Sequence, residues 1–286
     1  MKNRLLFAVL ALITLLFCGC GGSLSAMKNE KISEQDPDSR SVPVIRYAAL
    51  CSKKDKTNES ACTYSQLEED IDLFRSLGYE PVLVNDLIRF VNYGADLPER
   101  PIVLTVDTGY LGCLTELVPI AEKKGARFLI TISGELTEHA ADDAAPDPER
   151  THLDWDSIKA MRLGGRFEFA NGTYSLFKDE ERKGCLRMKG EGEREYRRLI
   201  LNDVFSLQRL CDEHCAFKPN VFTFPLGYAD DLAKDTIAEC GFEAVLTCEE
   251  GINHIRRGAP GGLFCLKRIE RSQLSDEEDM IKALDG

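Results

Sequence analysis

The strongest chemical signal in the chain is a carboxylate at the end of an apolar run. Pro101–Val106 (PIVLTV) empties into Asp107-Thr108-Gly109-Tyr110. A continuous apolar run of this length reads as a strand buried on both faces. A carboxylate and a turn glycine just beyond it stand where a catalytic or ligand-binding group would stand. The same pattern suits a helix N-cap, with Asp107 accepting backbone amides, and the local sequence leaves both open. Cys211-x-x-His214-Cys215 puts three potential metal ligands within one helical turn. No CxxC or HxxxH partner follows it, and helical cysteines also serve as small buried apolar residues. Histidine is scarce: a mechanism needing several imidazoles must draw on His139, His152, His214 and His254.

The elements that must position these residues alternate. Val42–Leu50 predicts a strand, and Thr63–Leu77 a helix with Leu67, Ile71 and Phe74 at helical spacing. Glu80–Val84 follows as a strand, Asn85–Tyr93 as a helix, PIVLTV as a strand, a helix to Lys124, and the strand Arg127–Ile132. Further on come the helix Trp155–Leu163, the strand Arg166–Ala170, and the long helix Glu193–His214. Asn220–Phe224 predicts a strand, Asp231–Cys240 a helix, Glu243–Thr247 a strand, Leu263–Lys267 the last strand, and Asp276–Leu284 a closing helix. Such alternation argues for one parallel α/β barrel or open sheet, whose function gathers at the carboxyl ends of the strands. Residues 134–154 read as a long loop, either a lid over that face or a mobile excursion.

Composition narrows the classes. Of 286 residues, 43% are hydrophobic and 29% charged, which excludes long disorder and a multi-span membrane protein. A net charge of −12 argues against a general nucleic-acid binder. Lys2 and Arg4 precede the apolar run Leu5–Phe17 and then Cys18-Gly19-Cys20, the pattern of an export signal. Gly19-Cys20 resembles a bacterial lipobox, which would make Cys20 the lipidated N-terminus; an uncleaved anchor and plain secretion are the other readings. The expected organisation is a signal over 1–20, a polar tether over 21–41 and one domain over 42–286. Nine cysteines remain in the body, and export permits disulfides. Cys51/Cys62 and Cys240/Cys248 are the candidate local pairs, and an odd count leaves at least one thiol over.

The strand PIVLTVDTG at 101–109 resembles the "PvvlTFDDG" strand of the polysaccharide deacetylase family, the NodB-type carbohydrate esterases. VPVIRY at 42–47 resembles its opening "iPVLmYH", and GARFLITI at 125–132 the strand after its first helix. LDWDSIKAMRLGGRFEFANGTYS at 153–175 resembles "ltWdqikeMaksGhvEigsHTysH", and FTFPLG at 222–227 resembles "faYPyG". CGFEAVLTCEEGIN at 240–253 and LKRI at 266–269 resemble its last two motifs. The resemblance spans 42–269 and implies an irregular (β/α) barrel of about seven parallel strands. It also implies metal-assisted removal of acetyl groups from N-acetylated glycans. In that chemistry one Asp and two His hold a divalent metal that polarises the acetyl carbonyl and acidifies a water. A second Asp acts as general base, a His as general acid, and a backbone N–H of the PYG turn holds the oxyanion.

Carried onto this sequence, the resemblance puts Asp107 in the general-base position. Thr108, Gly172 and Leu176 stand at all three metal-ligand positions. Ala48 stands where many exported relatives have His, and Leu226 replaces the Tyr of PYG while keeping its backbone N–H. A hydroxyl, no side chain and a hydrocarbon supply none of the donors that offset a divalent ion's dehydration. No cofactor is therefore expected, zinc entering only through alternative ligands; His139, His152, Asp154, Asp156 and His254 are the residues available to rebuild a site. The expected function is a cell-surface lipoprotein that binds an N-acetylated glycan with little or no metal-dependent deacetylation. Tyr110, Asn171, Tyr174 and the Leu226 backbone are the expected glycan contacts, with Trp155 and Phe224 as further aromatic faces whose other reading is core packing. Two alternatives stand beside it: an active carbohydrate N-deacetylase with displaced ligands using Asp107, and a non-enzymatic envelope scaffold.

Overall fold

The computed structural model describes residues 36–285 except 55, 56, 141 and 143. The expected signal and Cys20 lie outside the described residues. Of the expected tether, Ser39–Val42 is strand β1, so the domain begins earlier than residue 42.

The Val42–Leu50 run is broken at Ala48 into β2 (Val44–Tyr47) and β3 (Ala49–Cys51), the latter paired with β4 (Ala61–Thr63) in a small parallel ribbon. Thr63 and Gln66 form a capping box that starts α1 (Tyr64–Ser76). Then come β5 (Glu80–Val82), α2 (Val84–Tyr93), β6 (Pro101–Val106), α3 (Val118–Lys124) and β7 (Phe128–Ile132). The second half runs α4 (Gly134–Ala140), α5 (Trp155–Leu163), β8 (Phe167–Asn171), α6 (Glu193–Cys215), β9 (Val221–Thr223), α7 (Asp231–Ala238) and β10 (Ala244–Leu246). It ends with β11 (Asn253–Arg256), β12 (Ile269–Glu270) and α8 (Glu277–Asp285).

Seven parallel strands curl into a half-barrel in the order β10-β9-β8-β7-β6-β2-β12, with β5 also pairing to β6. The segment leading into β12 bridges the open side. Leu266 pairs with Leu246 on β10, and Ile269 pairs with Ile45 on β2. The expected last strand Leu263–Lys267 is thus displaced to Ile269–Glu270, because Pro260–Leu263 is a 3₁₀ turn. The antiparallel pair β1–β11 was not anticipated.

Alternation along the strands sorts the core into two sides. Ile45, Leu104, Phe128, Ile130 and Phe169 pack with Leu67, Ile71 and Phe74 of α1 and with Ile158 of α5. The opposite positions, Val44, Val103, Leu129, Ala170 and Val221, fill the inside of the curl with Leu87 and Phe90 of α2. Each strand of this kind therefore delivers every second residue past its carboxyl end toward the same mouth.

Glu168 is an exception inside the curl: a buried carboxylate that accepts the Val84 N–H (2.5 Å), the Asn85 N–H (3.2 Å) and the Asn85 side-chain amide (2.6 Å) at the start of α2. Burial pushes its pKa up to about 7, the three donors opposing that shift. A raised carboxylate is stabilising when neutral, so its contribution is complete below the unfolded value near 4.5 and is lost as pH rises through 7. Melting curves should show roughly 3 kcal/mol less stability at pH 8 than at pH 4.5 from this group. Glu168→Gln should lower stability at acid pH but remove that slope; a wild-type slope that survives the substitution would refute the assignment.

Neither expected disulfide is formed. Cys51 and Cys62 project to opposite faces of the β3–β4 ribbon, Cys51 among Ala49 and Ala61 and Cys62 in the main cluster with Leu50. Cys240 donates to the Thr236 carbonyl (3.7 Å), while Cys248 lies against Arg268. Among the described residues, no helix is long and apolar enough to cross a membrane.

Candidate functional site at the half-barrel mouth

Asp107 follows β6, its N–H continuing the ladder to Tyr47 O at 3.0 Å. It does not cap a helix. Its carboxylate is buried between two guanidinium groups. Arg46 Nε donates to Oδ2 at 2.6 Å; Arg268 donates through Nη1 to Oδ1 and through Nη2 to Oδ2 at 3.1 Å. Burial alone would raise the Asp107 pKa, but Arg268 and then Arg46 outweigh it, and the carboxyl is held below the usual carboxylate range. Arg268 is sealed in, bonding also to Thr247 O (2.6 Å) and Thr105 Oγ1 (3.3 Å), with Cys248 Sγ 3.3 Å from Nη2. Arg46 reaches Glu270 at 3.0 Å on its other side.

The three positions where the family places metal ligands do not fit a divalent ion. Thr108 offers one neutral hydroxyl, buried and without a hydrogen-bond partner among the described residues. At Gly172 a Cβ would fall 2.5 Å from Thr131 Cγ2 and 2.8 Å from the Ile132 carbonyl oxygen, so the surroundings have closed on the space a side chain needs. Leu176 is buried in an apolar cluster with Tyr196, Ile200, Phe222 and Phe224. Among the described residues, no group of three or more His, Cys, Asp or Glu is arranged to hold a metal.

The residues available to rebuild a site do not converge. His139 is exposed and faces Asp142 (3.6 Å), and His254 is exposed on β11. Asp154 caps α5 through the Ser157 N–H. His214 stacks on Trp155, ring centroids 5.0 Å apart, and Cys215 donates to the Trp155 carbonyl, which dissolves the Cys211/His214/Cys215 metal reading. Trp155 and Phe224 are packing residues, Phe224 being edge-on to Phe222 in the core.

The expected glycan contacts divide. Asn171 is fully buried: its amide nitrogen donates to Val204 O (3.0 Å) and its oxygen accepts the Thr173 N–H (2.8 Å), so it shapes the turn and has no face toward a ligand. Thr173 there adopts φ 76°, a strained value for a β-branched residue. The turn is held by Asp203 of α6, which accepts the Tyr174 N–H (2.7 Å), the Ser175 N–H and the Ser175 hydroxyl (2.7 Å). Tyr174 remains at the surface, its hydroxyl donating to Glu138 (2.7 Å). Tyr110 is half-buried, its ring 4.7 Å from that of His152. Leu226 sits at φ 54° with 38% of its surface exposed.

Of the expected loop 134–154, Gly134–Ala140 is helix α4, while the described residues between 142 and 154 are irregular apart from one bridge, His152 to Tyr110. α4 begins with Gly134 and Glu135 donating to the Thr173 and Tyr174 carbonyls. Residues 148–153 then run beside the Asp107 strand end, with Leu111 N–H to Thr151 O at 2.7 Å and Leu153 N–H to Gly109 O at 2.7 Å. Burial pushes His152 in this segment down to about 4, so it is neutral near pH 7. A separate open groove of about 640 Å³ lies between Lys53, Gln66, Arg271 and Glu277, and none of the residues around Asp107 lines it.

Sequence reasoning missed Arg46, Asp203 and the role of Arg268. A charged residue inside the apolar strand VPVIRY was the available signal for Arg46. Arg268 was visible only as one letter of LKRI.

A curled parallel sheet with a carboxylate at the mouth of a central strand is a frame that barrel hydrolases use. The family model for polysaccharide deacetylase matches residues 94–245, and the chain belongs to that family. It is 24% identical over 208 residues to the poly-beta-1,6-N-acetyl-D-glucosamine N-deacetylase of Escherichia coli K12, covering 66% of this chain. The chain spans only 31% of that relative's length. Its fold is similar to a de-N-acetylase from Aggregatibacter actinomycetemcomitans, with TM-score 0.74, 16% identity, and coverage of 85% of this chain and 99% of the other. IcaB from Ammonifex degensii superposes with TM-score 0.69 and 18% identity over 86% of this chain and 98% of its own.

Proposed function

We propose that this chain is an exported member of its family, lipid-anchored through Cys20. In this reading it binds an N-acetylated cell-surface glycan at the half-barrel mouth and performs little or no metal-dependent deacetylation. The observation that carries the reading is the state of Asp107. A general base must be open to take a proton from water, yet this carboxylate accepts three charge-assisted bonds from Arg46 and Arg268. At the positions where the family has metal ligands, Thr108, Gly172 and Leu176 offer no anionic or imidazole donor. Without a bound metal a water keeps a pKa near 15.7 rather than about 7, and a base held below the carboxylate range is too weak to deprotonate it. Tyr110, Tyr174 and Leu226 supply the partly exposed rim that a sugar would meet, and the likeness to a poly-N-acetylglucosamine deacetylase supports an acetylated glycan as ligand.

The test pairs metal content after zinc loading with acetate release and calorimetric binding, using an N-acetylglucosamine oligosaccharide. The expected result is substoichiometric zinc, acetate at background, and measurable binding. Stoichiometric zinc with turnover abolished by Asp107→Asn would overturn the reading and install the active deacetylase in its place.

A further inference from the structure

The two guanidinium groups on Asp107 are not equivalent. Every nitrogen of Arg268 is engaged: Nε by Thr247 O, Nη1 by Asp107 and Thr105, Nη2 by Asp107 and Cys248, and its side chain is 0% exposed. Arg46 is 13% exposed; Nε is held by Asp107 and Nη1 by Glu270, while Nη2 takes part in no hydrogen bond among the described residues. Arg46 is in register with Thr105 on β6 and Glu270 on β12, so it stands on the inner face of β2, one residue short of the strand end. Its position is therefore fixed on two sides while one amino group, with two N–H donors, is left over.

Among the described residues Nη2 is not one of the buried side-chain atoms left without a partner, so this edge is open at the mouth and free to donate to an incoming acceptor. What would satisfy it is an oxygen acceptor brought by a ligand. Local charge decides which kind. Arg46 and Arg268 are already balanced by Asp107 and Glu270, so a phosphate or a free carboxylate would bring uncompensated negative charge beside two carboxylates. A neutral carbonyl oxygen brings none. We propose that Arg46 is the residue that reads the acetyl group, donating from Nη2 to the acetamido carbonyl oxygen of an N-acetylated sugar. The proposal rests on the glycan-binding reading above and assigns the specificity within it. The planar fork held by Asp107 and Glu270 aims Nη2 without a further loss of rotamer freedom on binding.

The test compares two probes by calorimetry: an N-acetylglucosamine trisaccharide and the same trisaccharide with its acetyl groups removed. Wild type should prefer the acetylated form roughly ten- to hundredfold, the range for a hydrogen bond to a charged group. Arg46→Met, which leaves Asp107 paired to Arg268, should bind both probes about equally, and Arg46→Lys should lose most of the preference because an ammonium has no planar fork. Glu270→Gln keeps Nη2 in place and should keep the preference. If Arg46→Met does not fold, Arg46→Lys and Glu270→Gln decide the matter between them. A preference that survives the Arg46 substitutions overturns this assignment and leaves the glycan-binding function standing. Wild type that binds neither trisaccharide overturns both.

Discussion

Arg268→Met is expected to cost about 3–5 kcal/mol, the penalty for breaking a buried ion pair from one side, and to lower the melting temperature by roughly 6 to 20 °C in a domain of this size. Methionine fills most of the volume but leaves Asp107 buried with Arg46 alone and strands the Thr247 carbonyl. The pH dependence identifies the cause. In wild type the carboxyl is held low, so its contribution is present above the unfolded value near 3.9 and is lost as pH falls through the folded value. With Arg268 gone, burial dominates and pushes the carboxyl up, so the variant loses stability as pH rises. The gap between the two proteins should widen from acid to neutral pH. Arg268→Lys should recover little, since one ammonium cannot reproduce two bonds to the carboxylate and a third to Thr247 O. A melting shift under about 2 °C, or a gap that does not change with pH, would show that the pair does not hold the mouth together.

How far the sequence reached is clear from the same residues. PIVLTV followed by Asp107 was legible because a run buried on both faces has one reading and a carboxylate after it has few. Strand–helix alternation gave the parallel sheet for the same reason. The antiparallel β1–β11 pair was not legible: SRSV and NHIR are short and polar, and pairing alone makes them strands. LFCLK at 263–267 looked like the last strand by apolarity, yet register with β2 selects Ile269–Glu270. The Asp107–Arg268 contact joins residues 161 apart, and no local pattern announces it. Asn171 misled for a related reason. An amide at a strand end looks ligand-facing until Val204 O and the Thr173 N–H, each from the fold itself, are found on it.

Restoring the missing imidazole by Gly172→His is expected to destabilise the protein by about 3 kcal/mol or more, above the usual range for an overpacked site, without creating zinc affinity. Two contacts set the size of the effect. A Cβ at 172 meets Thr131 Cγ2 at 2.5 Å and the Ile132 carbonyl oxygen at 2.8 Å, and that same carbonyl accepts the Gly172 N–H at 2.9 Å. A side chain can turn away from the first contact, but only backbone movement relieves the second, and moving it loosens the hydrogen bond between the strand ends. Thr131→Ser removes the methyl and keeps the hydroxyl, so the double variant should recover part of the loss and never all of it. Adding Thr108→Asp and Leu176→His to complete the triad should lower stability again, because the imidazole replacing Leu176 would be buried among Tyr196, Ile200 and Phe222. Thermal melts with and without zinc report both quantities. If the triple variant takes up one zinc and melts higher with it, the pocket is intact and only its ligands were exchanged. The expected opposite result means that the strand ends have repacked around a glycine. A zinc site of the family's kind could then form at position 172 only by moving the backbone between β7 and β8.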